Sequence, residues 1–137
     1  MKAFDINFLD HVAIRVKDIN VSVEWYQKVL GLKKMILPEW GNSPVFMSCG
    51  KSGIAIFPAN LSDPEIDKRS KNTGMSHFAF NVSNKDFKKA QEYYQSIGEQ
   101  FKFQDHTYFH SIYLTDPDGH NVELTTLVVE EDNFYKG

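Results

Sequence analysis

Two segments of the chain look like copies of each other, and this repeat limits the fold more than any other feature of the sequence. The first copy begins at residues 11–18 (HVAIRVKD), and the second begins at residues 77–84 (HFAFNVSN), 66 residues later. A helical pattern follows each start and ends at a glycine, Gly31 or Gly98. Self-similarity of this kind indicates a structural unit that occurs twice.

Each copy opens with alternating side chains, which is typical of a half-buried strand. In the first copy the residues at positions 12, 14 and 16 are apolar and share one face, while His11, Ala13 and Arg15 share the other. After each helix come three short strand-like runs, near 32–38, 44–49 and 53–58 in the first copy and near 100–104, 109–115 and 120–128 in the second. Each copy is therefore predicted to be a βαβββ module.

The fold class that follows is α+β. We expect a single domain over residues 1–137, made of two tandem modules at about 7–58 and 75–128 and a connector at 59–74. A module of about 60 residues is marginal alone, so the two are expected to share a core. Their sheets would form a curved mixed sheet around a cavity lined by the faces that hold His11 and His77.

Charge and hydropathy exclude several classes of function. The net charge is −3, which leaves no broad basic surface for nucleic acid. The longest apolar run, Ile54–Phe57, is far shorter than the roughly 20 residues that cross a bilayer. With one cysteine and no signal-peptide pattern, the sequence predicts a cytoplasmic protein that binds neither nucleic acid nor membrane.

The motifs together resemble the vicinal oxygen chelate superfamily, which includes glyoxalase I, extradiol ring-cleaving dioxygenases, fosfomycin thiol transferases and bleomycin-resistance proteins. The matching stretches are residues 9–18, 25–31, 76–80 and, most specifically, 111–124 (SIYLTDPDGHNVEL). The resemblance covers nearly the whole chain.

This resemblance implies a metal site made of His11, His77 and Glu123. In the family, the first strand of each copy presents a histidine and the final strand presents a carboxylate. The residues agree, because Glu123 lies in a predicted strand between two apolar residues, where a carboxylate needs a cation, a partner or a proton. Two imidazoles and one carboxylate suit divalent Fe, Mn, Ni, Co or Zn and leave positions open for a substrate. A cavity of the same fold without metal is the alternative.

The position of a fourth ligand separates the branches of the family. Glyoxalase I has a carboxylate at the end of the first copy, and subtracting the repeat spacing from Glu123 gives Phe57. This favours a three-ligand site and disfavours glyoxalase I activity. Tyr113 and Ser111 precede Glu123 on the neighbouring strand, and ring-cleaving members have a tyrosine at that place. Tyr113 is thus a candidate catalytic residue together with Glu123. The alternative prediction, with equal support, is that the tyrosine only packs against the hairpin.

Three positions are candidates for substrate binding, namely Arg15, Phe57 and Ser111. Arg15 is expected either to orient a carboxylate or to cap the end of its strand. A phosphonate substrate is disfavoured, because residues 130–132 (EED) follow the last strand where cationic partners would be needed. His110 and His120 fall on the face opposite Tyr113, and His106 is kept as a minor acid–base candidate.

The sequence therefore predicts a metal-dependent enzyme acting on a small substrate that chelates the metal through adjacent oxygens. The reaction is expected to be lyase or isomerase chemistry, oxygen-dependent cleavage, or addition of a nucleophile. The rival prediction is a non-catalytic protein that sequesters a small molecule. Open sheet edges in each module favour a homodimer.

Overall fold

The computed structural model describes residues 2–135. The chain divides into two compact units, with the boundary between Ile66 and Asp67. The first unit contains β1 (His11–Val16), α1 (Ile19–Leu30), β2 (Lys33–Lys34), a 3-10 turn (Pro38–Trp40), β3 (Val45–Cys49) and β4 (Ser52–Pro58). The second contains β5 (Phe78–Asn81), α2 (Asn84–Ile97), β6 (Lys102–Asp105), β7 (Phe109–Thr115), β8 (Asn121–Leu127) and the short α3 (Glu131–Phe134).

Each unit has one four-stranded mixed sheet with the same topology. The strand order is β1-β4-β3-β2 in the first sheet and β5-β8-β7-β6 in the second. The opening strand pairs in parallel with the last strand of its module, and the other pairs are antiparallel. The α+β fold class and the repeated βαβββ order predicted from the sequence are confirmed.

Side chains at the helix ends explain where α1 and α2 begin and stop. The carboxylate of Asp18 accepts hydrogen bonds from the backbone N–H groups of Asn20 and Val21, and the hydroxyl of Ser83 accepts one from Asp86. Each helix then ends at a glycine in the left-handed conformation, with φ of 65° at Gly31 and 72° at Gly98. These caps satisfy backbone groups that the helix itself leaves unpaired.

Each helix packs against one face of its own sheet and leaves the other face for the polar residues. The buried residues of the first unit include Ile14, Val16, Val23, Tyr26, Met47, Ile54 and Ile56. Those of the second include Phe78, Phe87, Tyr94, Ile112, Leu114, Val122 and Leu124. The alternation of apolar and polar residues in the sequence therefore corresponds to the two faces of each sheet, with the apolar face packed against the helix.

The connection between β7 and β8 is the turn that Asp-Pro-Asp-Gly predicts. The backbone N–H of Gly119 donates to the Asp116 carbonyl at 3.0 Å, and the Asp116 side chain accepts from the N–H groups of Asp118 and His120 at 2.9 Å each. Asp116 is buried. This turn fixes the register of the hairpin that holds Tyr113 and Glu123.

Two segments differ from the sequence prediction. The strand expected near 32–38 is only Lys33–Lys34, because Pro38 begins a 3-10 turn and cannot donate a ladder hydrogen bond. The helix α3 after β8 was not predicted. In the described part of the chain, no helix has the length and apolar character needed to cross a membrane.

Candidate metal-binding site

The second unit brings four of the predicted site residues together, on the sheet face that α2 does not cover: His77, Ser111, Tyr113 and Glu123. Tyr113 on β7 lies directly opposite Glu123 on β8, and Glu123 in turn pairs with Ala79 on β5. One row further, Ser111 lies opposite Thr125. Side chains opposite each other in adjacent strands contact one another. The hairpin therefore places the phenol, the carboxylate and the hydroxyl in one group.

His77 and Glu123 form the centre of this group. The Nε2 atom of His77 lies 3.1 Å from Oε2 of Glu123, and the Glu123 side chain is only 6% exposed. The other ring nitrogen of His77 is 3.0 Å from the hydroxyl of Ser76. A carboxylate this deeply buried requires a partner, and the imidazole supplies one when no cation is present.

Tyr113 completes the group from the neighbouring strand. Its ring stands edge-on to the His77 ring, with centroids 5.5 Å apart, and its hydroxyl is 2.8 Å from Nε2 of His106. Burial raises the pKa of the Tyr113 phenol, and the charge of Glu123 raises it further, while a hydrogen bond from Ser111 acts in the opposite direction. The phenol is therefore protonated at neutral pH and able to donate a hydrogen bond.

His11 occupies the matching position in the first unit. Its Nδ1 atom lies 2.7 Å from a carboxylate oxygen of Asp10, and its ring is edge-on to Phe46 at 6.0 Å. On the neighbouring strand β4, His11 pairs with Gly53. A Cβ at position 53 would collide with the Phe46 ring and the backbone of Met47, so this position requires glycine. A carboxylate beside Nδ1 fixes that nitrogen as the protonated one, which leaves Nε2 as the donor atom for a metal.

Arg15 and Phe57 contact each other in the first unit. The Arg15 guanidinium lies over the Phe57 ring at 5.8 Å and donates to the carbonyl oxygen of Pro58 at 3.0 Å. These contacts correspond to the strand-capping alternative for Arg15. The role of both residues in binding a substrate stays a prediction.

The strand register changes which residue corresponds to Glu123 in the first copy. Glu123 pairs with Ala79, and the residue that pairs with Ala13 in the same way is Ala55, not Phe57. Glu123 lies 44 residues after Ala79, whereas Ala55 lies 42 residues after Ala13, so the segment between the opening and last strands is two residues longer in the second module. The assignment of Phe57 is thus corrected, but the conclusion that this position holds no carboxylate is unchanged.

The three predicted ligands are divided between the units, with His11 in the first and His77 and Glu123 in the second. Within residues 2–135, no group of three or more His, Cys, Asp or Glu side chains lies close enough to hold a metal ion. The triad therefore stays a prediction. The paired His77 and Glu123 are its observed part.

His106 and His110 lie on different faces of the second sheet. His110 lies on the face opposite Tyr113, 3.6 Å from a carboxylate oxygen of Asp105 and 5.1 Å from the ring of Phe103. His106 instead contacts Tyr113. From the sequence, His106 was only a minor acid–base candidate. Its signal in the sequence was its place seven residues before Tyr113, but the turn that folds it back is not visible in the residue pattern.

A separate cleft of about 490 Å³ lies in the first unit. Its lining combines the start of α1 with the segment from Lys34 to Val45. It contains none of the residues predicted for metal or substrate binding.

Comparisons with known proteins agree with this architecture. A model of the Glyoxalase/Bleomycin resistance protein/Dioxygenase superfamily matches residues 8–124. A metallothiol transferase FosB of Staphylococcus epidermidis is 26% identical over 96% of this chain and 91% of its own length. A glutathione transferase FosA of Serratia marcescens is 26% identical over 85% of this chain and 78% of its own length. The crystal structure of a glyoxalase/dioxygenase from Nostoc punctiforme superposes with a TM-score of 0.76 at 18% identity, covering 94% of this chain and 97% of that one.

Proposed function

Because the chain belongs to the Glyoxalase/Bleomycin resistance protein/Dioxygenase superfamily, we propose that it is a divalent-metal-dependent enzyme that adds a thiol to a small electrophile. The electrophile would bear two adjacent oxygens that bind the metal. The observation behind this proposal is the buried Glu123 carboxylate, which faces the Nε2 atom of His77 and lies beside the protonated phenol of Tyr113. The names of the two relatives, a metallothiol transferase and a glutathione transferase, favour a thiol as the nucleophile.

The proposed metal ligands are His11, His77 and Glu123, and their surroundings fit that role. In both histidines the Nδ1 atom is engaged by the side chain of the preceding residue, Asp10 or Ser76, which orients the ring for binding through Nε2. Two imidazoles and a carboxylate are a donor set for Fe, Mn, Ni, Co or Zn. We propose that His11 joins the pair of the second unit, from the same chain or from a second copy in a homodimer.

When bound, the metal would polarise the substrate oxygens and stabilise the negative charge that develops on them. The Tyr113 phenol would donate a hydrogen bond to one of these oxygens, and Ser111 would support the phenol from the adjacent row. A carbon–sulfur bond forms as a carbon–oxygen bond of the electrophile breaks. The released oxygen takes up a proton, which balances the one that the thiol loses.

The register disfavours hemithioacetal isomerisation by this chain. The position equivalent to Glu123 in the first unit is Ala55, which is 5% exposed and has no group that binds a metal or accepts a proton. Ring cleavage is the second candidate, because the hydrogen bond between His106 and Tyr113 places an imidazole beside the phenol. A sequestering protein without catalysis is the third, and it predicts no turnover of any substrate.

The first experiment measures metal binding by isothermal titration with Mn²⁺, Fe²⁺, Co²⁺, Ni²⁺ and Zn²⁺ added separately to chelator-treated protein. We expect about one ion per chain and a loss of affinity of at least tenfold in His11→Ala, His77→Ala and Glu123→Gln, because a three-ligand site has no spare donor. His110→Ala, on the opposite face of β7, is the matched control and should bind normally. Unchanged affinity in all three ligand variants would refute the metal site.

The second experiment assays the metal-loaded protein with glutathione or cysteine and a panel of epoxides that includes fosfomycin. Catechols under air and methylglyoxal with glutathione are the competing reactions. We expect a thiol adduct, with substrates other than the phosphonate preferred, since Glu131 and Asp132 follow the last strand. Lactoylglutathione formation with kcat/KM of roughly 10⁴ M⁻¹s⁻¹ or more, and no thiol adduct, would refute the proposal.

A further inference from the structure

The turn between β6 and β7 folds His106 back over the polar face of the second sheet. The backbone N–H of His106 donates to the Phe109 carbonyl at 2.9 Å, and that of Tyr108 donates to the His106 carbonyl at 2.8 Å. Thr107 has φ of 72°, and its N–H donates to the Asp105 carboxylate at 2.8 Å. A residue other than glycine is rarely found in this conformation, so the surrounding contacts must hold it there.

Aromatic side chains pack behind His106. Its ring stacks on Phe109 with centroids 4.9 Å apart, at an angle of 32°. Phe109 in turn lies edge-on to Phe134 of α3 at 5.9 Å, and Phe134 also contacts Tyr108 at 5.9 Å. The backbone of Val128 donates to the Tyr108 carbonyl at 2.9 Å, which ties the segment after β8 to the same turn.

This row of rings ends at the candidate site. His106 is half-buried, and its Nε2 atom is 2.8 Å from the Tyr113 hydroxyl, which faces Glu123. A phenol has one proton to donate, and the Glu123 carboxylate can only accept. The arrangement that satisfies all three groups has His106 donating to the phenol oxygen and the phenol proton turned toward the site.

We propose that His106 is a positioning residue for Tyr113, held in place by Phe109 and by Phe134 of the C-terminal helix. Among the described residues, His106 makes no hydrogen bond or ion pair with His77 or Glu123 and instead contacts Tyr113. Any effect of His106 on the reaction therefore passes through the phenol. Through Phe134, the C-terminal segment thereby contributes to the geometry of the candidate site. The catalytic part of this inference rests on the proposed function, whereas the structural part does not.

The structural test uses protein labelled with 3-fluorotyrosine and read by ¹⁹F NMR. The chain has six tyrosines, and Tyr113→Phe identifies the resonance of interest. In His106→Ala we expect that resonance to move toward the shift of an exposed fluorotyrosine, whereas His106→Gln, whose amide can still donate, should keep it near the wild-type position. His110→Ala should leave it unchanged.

The kinetic test is a double-mutant cycle in whichever reaction the metal-loaded enzyme performs. We expect His106→Ala to lower kcat/KM about tenfold when Tyr113 is present and less than twofold in the Tyr113→Phe background, with metal affinity unchanged in both. An equal loss in the two backgrounds would overturn the inference, as would a Tyr113 resonance that moves as far in His106→Gln as in His106→Ala. If the chain proves inactive, the proposed function fails, but the ¹⁹F result still decides the role of His106.

Discussion

Which of the wild-type protein and the Glu123→Gln variant is the more stable should depend on whether metal is present. The substitution keeps the shape of the side chain and removes its charge. Glu123 is 4% exposed, and its described ion-pair partner is His77, whose side chain is 36% exposed. Loss of the carboxylate does not leave a charge isolated in the core, because the His77 imidazole is partly exposed and reaches solvent.

The magnitude follows from two opposing terms. Without metal, exchanging the buried carboxylate for an uncharged amide removes the cost of keeping a charge away from water, which we put at about 1 kcal/mol. With metal at 100 times its Kd, the wild-type protein gains about 2.7 kcal/mol from binding. The amide of the variant is a weaker ligand and should recover less than about 1 kcal/mol of this. We therefore expect Glu123→Gln to be the more stable protein in chelator and the less stable one in metal.

Thermal unfolding followed by circular dichroism measures both conditions on the same samples, with EDTA or with saturating Mn²⁺. For a chain of this length, 1 kcal/mol corresponds to about 3–5 °C in Tm. Glu92→Gln, on the exposed surface of α2, is the control and should change stability by less than about 0.5 kcal/mol in either condition. A variant that melts earlier than wild type in EDTA, or one that keeps the full metal-induced rise, would refute this reasoning.

Three further predictions concern the scaffold. Gly53→Ala should lower the free energy of unfolding by more than about 2 kcal/mol, because the new methyl group collides with the backbone carbonyl of Met47. Gly74→Ala is the control and should not lower it, because no heavy atom lies closer than 4.0 Å to the added Cβ. Urea denaturation of both variants measures the difference. Asp18→Ala should cost about 1 kcal/mol by removing the N-cap of α1, also measured in urea. Burial raises the pKa of Tyr94, so the unfolded chain loses this proton at a lower pH than the folded one and stability should fall as the pH rises above about 10. Tyr94→Phe should flatten that slope in urea titrations at pH 9 and 11, and an unchanged slope would contradict the assignment.

Alternation made the face of the site predictable, while register and turn geometry did not follow from it. The residue pattern placed Tyr113 and Glu123 on one face and His110 on the other, because side chains in a strand alternate with a strict period of two. It misassigned Phe57, since a constant repeat spacing ignores that the segment between the opening and last strands is two residues longer in the second module. It undervalued His106, whose contact with Tyr113 depends on the backbone of Thr107.

The corrected register also shows how far the two copies have diverged in chemistry. Phe46 pairs with Ala55 in the first unit as Tyr113 pairs with Glu123 in the second, so a phenyl ring and a methyl group replace the phenol and the carboxylate. The first unit keeps one imidazole beside an apolar ring. Within the described residues, neither unit brings three His, Cys, Asp or Glu side chains close enough together to hold a metal ion. On the proposed ligand set, tight metal binding therefore depends on His11 as well as on His77 and Glu123, and His11→Ala alone should weaken it.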